Sequence, residues 1–376
     1  MTPSERLDEV LASAVADLEQ WEVVNQENRD RIERVSRDMR NRACVRLVLA
    51  CMLAKLHQPA IDPRRPYTEI AEADTFSGRS YDEGYISALV QAERLPVNST
   101  TAFLTPALRN IDYTLTPDKA VIGRPRELYA DALHLLEEVA FDRETAGAVL
   151  VDTLRVLLRL RNERDAQLAT LQASLRRTGA TIPLSSEGIV NLLQQHLTCP
   201  HSSRLPVLIV VAAYQAVSPL IGEHTKALSS HNAADEQTGA AGDVEICLTS
   251  DDQVRTVYEM KRKAVTIWDI NRSIEKLTNL PSINNYIFVT TDPIDLTVRE
   301  YAAGVYQRTG GIEFAILDCL GFVRHFLHLF HRHRGAFLDA YQALVLGEPD
   351  SAVSFALKQA FLALRQAATQ QPEPDA

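Results

Sequence analysis

Gly242-Asp243-Val244-Glu245-Ile246-Cys247-Leu248, then Thr249-Ser250-Asp251-Asp252-Gln253, then Val254-Arg255-Thr256-Val257-Tyr258-Glu259-Met260-Lys261-Arg262-Lys263, is the stretch whose reading decides the fold. The outer runs alternate apolar and polar residues, as half-buried strands do, and the break between them is made of turn-forming residues. A β-hairpin is expected. With Thr249 facing Gln253 across a three-residue turn Ser250-Asp251-Asp252, Val244 opposes Tyr258, Ile246 opposes Thr256 and Leu248 opposes Val254 on one face. The other face then carries Asp243 opposite Glu259, Glu245 opposite Val257, and Lys261 two residues beyond Glu259. A two-residue turn would slip the pairing by one, set Asp243 across from Met260 and mix the apolar and charged sets, so the odd register is expected.

Two carboxylates at a strand end form a hard oxygen site for a divalent cation, and Mg²⁺ commonly takes one or two protein carboxylates together with phosphate oxygens. A lysine beside them can stabilise charge on a phosphoryl transition state and hold or help deprotonate an attacking water. Asp243 and Glu259 are therefore the candidate metal ligands, with Lys261 the third catalytic candidate. Glu245 and Lys263 are possible additional acidic and basic groups. As a string, Asp-x(15)-Glu-x-Lys is weak; a solvated charged face at a sheet edge is the competing reading. Its position on a hairpin between helices is what strengthens it.

Outward from the hairpin, the second half alternates helix and strand. A helix is expected from about 202 to 223, one begun by Asp269, a strand at Asn285–Thr290, a helix from about Asp295 to Arg308, and a strand at Ile312–Asp318. Helices at about 321–346 and 350–368 follow, and Gln370–Ala376 is a polar tail. This order predicts an α/β (α+β) class: a mixed sheet flanked by helices on both faces, behind a largely helical N-terminal region. Helices are expected through most of residues 1–60, at about 82–93, 126–140 and 144–175, and after a Ser185 cap. The division is placed between a helical region 1–195 and a sheet-bearing region 196–376.

The 376 residues carry a net charge of −10, which argues against a protein that coats nucleic acid indiscriminately. It leaves room for arginines gathered in one cleft. No apolar run reaches the length of a membrane span, the N-terminus lacks an apolar signal core, and the five cysteines form no Cys-x-x-Cys pair. A cytoplasmic protein without a membrane partner is expected. Neither a P-loop, a Rossmann glycine fingerprint nor a Gly-x-Ser-x-Gly elbow occurs.

Arg31, Arg34, Arg37 and Arg40 recur at three-residue intervals, so they share one side of a helix; they read either as a solvated face interleaved with acids or as phosphate contacts. Asp74–Glu83, which holds Arg79 and Ser80, and Asn98–Pro106, which holds Thr100 and Thr101, suit base-edge and phosphate contacts or turns that satisfy their own backbone. Arg272 and Lys276, with Lys263, lie where a scissile strand would run. His325, His328, His331 and His333 invite a zinc reading, but no cysteine or carboxylate accompanies them at ligand spacing. Asp235–Gly239 could add contacts or simply link.

The order of helix, Gly-Asp-Val-Glu-Ile strand, Tyr-Glu-Met-Lys strand, helix, Asn-Tyr-Ile-Phe-Val-Thr-Thr strand resembles the PD-(D/E)XK nucleases. More closely, the stretch from His231 to Leu364, with Thr75–Glu83 and Thr100–Pro106 before it, looks like the SacI-type type II restriction endonucleases. The resemblance implies a Mg²⁺-dependent, homodimeric enzyme that cuts double-stranded DNA at a short palindrome, GAGCTC being the first to test, paired in function with a cognate DNA methyltransferase. Asp243, Glu259 and Lys261 match the acidic, acidic and lysine positions; Gly242 stands where the name-giving proline would. Glu223 matches loosely a further carboxylate that some of these enzymes use. Two other readings compete: a repair or junction nuclease of the same fold, and a non-catalytic helical interaction protein.

Overall fold

The computed structural model describes residues 1–67, 72–98, 100–109, 111–119, 121, 123–177, 183–228, 240–278, 280 and 282–370. Ser99, the Asp235–Gly239 segment and the polar tail after Gln370 lie outside the described residues. The chain forms two compact units, Met1–Gln167 and Leu168–Ala376.

In the first unit α1 (Pro3–Ala16), α2 (Gln26–Arg37), α3 (Ala43–His57), α6 (Arg126–Ala140) and the first part of α7 (Ala146–Arg177) surround one apolar core. α3 is buried on every side from Ala43 to Ala54, so its near-continuous apolar sequence reflects a central helix rather than one with a single apolar face. The helix expected at 82–93 is a composite: α4 (Gly78–Tyr81), a π-helical stretch Asp82–Ile86 and α5 (Ser87–Ala92). Hydroxyls of the two hydroxyl-rich loops serve both their own backbone and a buried carboxylate. Ser77 caps α4, Thr105 Oγ1 donates to the Ala102 carbonyl, and Thr101 Oγ1 donates to Asp82 at 2.6 Å.

In the second unit a five-stranded sheet runs β1 (Glu223–Thr225), β2 (Val244–Leu248), β3 (Val254–Lys261), β4 (Asn285–Thr290), β5 (Glu313–Asp318) in spatial order. The first two pairings are antiparallel and the last two parallel, so the sheet is mixed as expected. Val244, Ile246, Tyr258, Ile287 and Val289 face a core built with α8 (Ser186–Thr198), α9 (Leu205–Ile221), α12 (Cys319–Leu329), α13 (Arg334–Gly347) and α14 (Phe355–Gln370). Val257, Tyr286, Phe288, Phe314 and Ile316 face a second core with α10 (Ile267–Leu277) and α11 (Leu296–Thr309).

Two helix boundaries differ from expectation. α10 begins at Ile267: Thr266 is its N-cap, and Asp269 sits at the third helical position, closing a capping box. The single helix expected over 321–346 is broken after Leu329, because Phe330 leaves helical geometry and a 3-10 turn, His331–His333, intervenes. The Arg334 guanidinium bonds the His331 and Leu184 carbonyls.

His196 is fully buried, its Nδ1 2.9 Å from the Tyr341 hydroxyl and its Nε2 3.0 Å from the Leu357 carbonyl. A carbonyl only accepts, so Nε2 carries the hydrogen, Nδ1 accepts, and the ring is neutral. Burial pushes its pKa down from 6.5 to about 4. Between these values the unfolded chain binds a proton that the folded chain does not. Stability present above about pH 6.5 is therefore lost as the pH falls toward 4, by about 2 kcal/mol between pH 7 and 5. Urea unfolding of wild type and His196→Gln at both pH values should show this slope in the first protein and not in the second.

Candidate active site

The hairpin register is the one the alternation predicts over its inner half: Val244 pairs with Tyr258, Glu245 with Val257 and Ile246 with Thr256. Toward the turn it departs. Cys247, not Leu248, pairs with Val254, so Arg255 is the extra residue of a β-bulge, and the three-residue turn is replaced by a longer one with Asp252 at φ 56°. The departure lies at the far end from the acidic residues.

Asp243 lies one residue before the ladder, at the level of Glu259 by continuation of the register, and its Oδ2 accepts the Met260 N–H at 2.6 Å. Val257, Glu259 and Lys261 alternate on one face of β3. Lys261 Nζ lies 3.1 Å from Glu259 Oε1 and 3.2 Å from Asp269 Oδ1. The other oxygen of Glu259 accepts the Tyr286 hydroxyl at 3.1 Å. The cluster stands at the carboxyl ends of the parallel strands, where Lys261, Thr290 and Asp318 align across β3, β4 and β5. Such ends are where open α/β sheets expose groups to ligands.

The electrostatics favour charge on Lys261 and Asp269. Burial works against the Lys261 ammonium, but Glu259 and Asp269 outweigh it and hold its pKa above the ordinary lysine value. For Asp269 burial acts upward, and Thr266, through its backbone N–H and hydroxyl, together with Lys261 brings the carboxyl below its usual range. Burial, and next the Glu259 charge, keep the Tyr286 phenol protonated, hence a donor. Asp269 and Tyr286 were not foreseen. A capping position and an apolar strand position account for them locally, and only folding brings them to Glu259 and Lys261.

Position 242 has no room for a side chain. A Cβ at this position would meet Val257 Cγ1 at 2.5 Å and the Tyr258 carbonyl oxygen at 2.9 Å, with Glu259 Oε2 at 3.5 Å. Any larger residue there pushes the chain off β3. Gly242→Ala should cost about 1–3 kcal/mol, the usual scale of overpacking, readable as a lower urea midpoint.

The remaining candidates separate. Glu245 shares the face, but its carboxylate accepts the Ala241 N–H at 2.7 Å and lies 3.4 Å from Lys226 Nζ. Glu223 pairs with Leu248, at the other end of β2 from Val244, roughly 13 Å along the strand, and does not join the cluster. Lys263 and Arg272 are exposed just beyond it, the Arg272 guanidinium 5.4 Å above the ring of the exposed Trp268; Lys276 lies in the last turn of α10. In the first unit Arg34 makes a double hydrogen bond to Asp131, and Arg37 does the same to Glu163 while also bonding Glu33. Arg31 pairs with Glu27, and Arg40 with Asp38. Arg79 pairs with Glu83, Ser80 bonds Ser77, Thr101 is buried on Asp82, and Thr100 is exposed. Arg324 and His328 both bind Glu187, and His331 and His333 lie in the turn. No helix among the described residues is long and apolar enough to cross a membrane.

No protein-family model matches the chain, and comparison with curated proteins returns no significant match.

The donor set at the hairpin suits a hard cation. Asp243 is exposed, the Glu259 side chain keeps 18% of its surface, and both offer only oxygen. Each oxygen named above uses one lone pair on a protein donor, and a carboxylate has about four acceptor sites. Glu259 thus keeps acceptor sites for a cation such as Mg²⁺ beside its present partners, with the exposed Asp243 carboxylate at the same level of the hairpin.

Proposed function

We propose that this protein is a Mg²⁺-dependent endonuclease of the PD-(D/E)XK type that cuts double-stranded DNA at a short palindromic site, acting as a homodimer beside a cognate methyltransferase. The observation that carries the reading is the convergence of Asp243, Glu259 and Lys261 at one strand end, in the register that sets Val244 against Tyr258. Supporting it, the antiparallel pair β2 and β3 is followed by helix α10 and the parallel strand β4, the strand–strand–helix–strand order of the resemblance, with β1 an additional edge strand that the resemblance did not include.

In this reading Asp243 and Glu259 hold the cation, which when bound would polarise a phosphoryl oxygen and lower the pKa of an attacking water. Lys261, held as an ammonium by Glu259 and Asp269, places positive charge beside the phosphate, where negative charge grows as the bond to the leaving oxygen breaks. Tyr286 and Asp269 orient these groups from below. The exposed Trp268 face and Arg272, on the helix entered just after the site, offer a stacking surface and a phosphate contact. Arg34 and Arg37 would serve DNA only by exchanging a carboxylate for a phosphate.

The test is a digest of mapped plasmid DNA containing GAGCTC, with Mg²⁺ and with chelator. Discrete fragments that need Mg²⁺ are expected. Cutting confined to branched or nicked DNA would move the reading to a repair nuclease, and no cutting of any DNA would remove the enzyme reading.

A further inference from the structure

His224 on β1 and Cys247 on β2 are direct cross-strand partners, and Asp252 comes back from the hairpin turn to the same place. Their ligand atoms all lie within 4.8 Å of one another, and His224 Nε2 stands 2.9 Å from Asp252 Oδ1. We propose that His224, Cys247 and Asp252 form a binding site for a soft divalent cation of the Zn²⁺ class, separate from the carboxylate site of the hairpin.

The chemistry of the donors selects the ion. Thiolate and imidazole favour Zn²⁺ and its neighbours, and one carboxylate completes a three-ligand set that leaves a fourth position for water. Cys247 is fully buried, and its thiol has no hydrogen-bond partner among the described residues. On binding, the thiol proton leaves to solvent as the metal–sulfur bond forms. Tetrahedral coordination at ordinary bond lengths spaces ligand atoms roughly 3.3–3.8 Å apart. Asp252 must therefore move slightly away from His224, which its 84% exposed side chain permits. Its backbone is already in the left-handed region, φ 56°, a conformation that Asp tolerates better than most residues and that turns the carboxylate back over the strands.

The position gives the ion a distinct role. Cys247 is four residues from Asp243, roughly 13 Å along β2, so one cation cannot serve both places. An ion here clips the short edge strand β1 to the hairpin at the bulged end, where the ladder is interrupted.

The experiment uses the full chain freed of metal with chelator and titrated with Co²⁺, then Zn²⁺. Wild type should show one thiolate-to-Co²⁺ charge-transfer band in the near ultraviolet, saturating at one equivalent per chain and displaced by Zn²⁺, and Zn²⁺ should raise its melting temperature. Cys247→Ser should lose the band, while Cys199→Ser and Glu259→Gln keep it. Asp252→Asn suits the left-handed position equally, so it should fold normally and still bind at least ~10-fold more weakly, since even outer partners of metal ligands are worth that much. The site is overturned if wild type shows no band, if the band survives Cys247→Ser, or if Asp252→Asn binds as tightly as wild type.

Discussion

Lys261→Met is expected to slow the proposed Mg²⁺-dependent DNA cutting by about 10²–10⁴-fold, the range for losing a positioned proton-transfer or charge-stabilising group. Its stability should change little. Lys261 is the cation shared by Glu259 and Asp269, at 3.1 and 3.2 Å, and its side chain keeps 28% of its surface. Such a pair contributes about 0–1 kcal/mol when partly solvated. The loss thus falls on the reaction rather than on folding. Glu259→Gln makes the complementary test, because glutamine can still accept the Tyr286 hydroxyl while offering a cation a neutral oxygen. Cutting should then fall by a similar factor and respond to raised Mg²⁺, whereas Lys261→Met should not respond. Single-turnover plasmid cleavage over a Mg²⁺ series, with melting curves on the same samples, reads both effects. Cleavage at the wild-type rate by both variants would rule out the site.

Arg46→Ala should destabilise the first unit by about 3–5 kcal/mol, the scale for removing one partner of a buried ion pair. Arg46 and Asp82 are both fully buried. Arg46 Nε lies 2.8 Å from Asp82 Oδ1, Nη1 donates to the Asn98 carbonyl at 2.6 Å, and Nη2 donates to Ser87 Oγ at 2.7 Å. Asp82 Oδ2 accepts from Thr101 Oγ1 and the Ala102 N–H at 2.6 and 2.8 Å. One pair therefore ties α3 to the π-helical stretch and to the loop before the 3-10 turn Ala102–Leu104. Without Arg46 the Asp82 charge stays buried beside two neutral donors. Urea unfolding should give a midpoint far below wild type for Arg46→Ala. The double variant Arg46→Met/Asp82→Leu should recover much of the loss, since no charge is then left unpaired. Equal midpoints for wild type and Arg46→Ala would mean the pair contributes nothing.

This pair also shows why the N-terminal loops were ambiguous in sequence. Arg79, Ser80, Thr100 and Thr101 share a composition that suits DNA contact or local structure. Thr101 is buried on Asp82, whereas Thr100 is exposed one residue earlier. Adjacent hydroxyls differ because one points at a buried carboxylate nineteen positions away, a contact that composition does not encode. The basic stripe on α2 is similar. Its spacing was legible, but its partners Asp131 and Glu163 lie 97 and 126 positions on.

The hairpin divides the same way within a few residues. Where Val244, Ile246 and Tyr258 enter the core, a slip of one residue would expose all of them, so the alternation sufficed to read the register. Toward the turn, Leu248 is half-buried and Gln253 exposed, so no apolar set enforces pairing and the bulge at Arg255 was not readable.

What the sequence by itself determined is the existence of the hairpin, the face on which Asp243, Glu259 and Lys261 fall, and the mixed helix–strand order around it, because side-chain periodicity is local and burial enforces it. What only the tertiary structure decided is which groups surround those three. Tyr286 reaches Glu259 by pairing β4 with β3, Asp269 reaches Lys261 from the first turn of α10, and Gly242 is required by Val257 and Tyr258 pressing from the facing strand. Hydrogen bonds and ion pairs act over a few ångströms, so partners far apart along the chain become visible only once the sheet has brought them together.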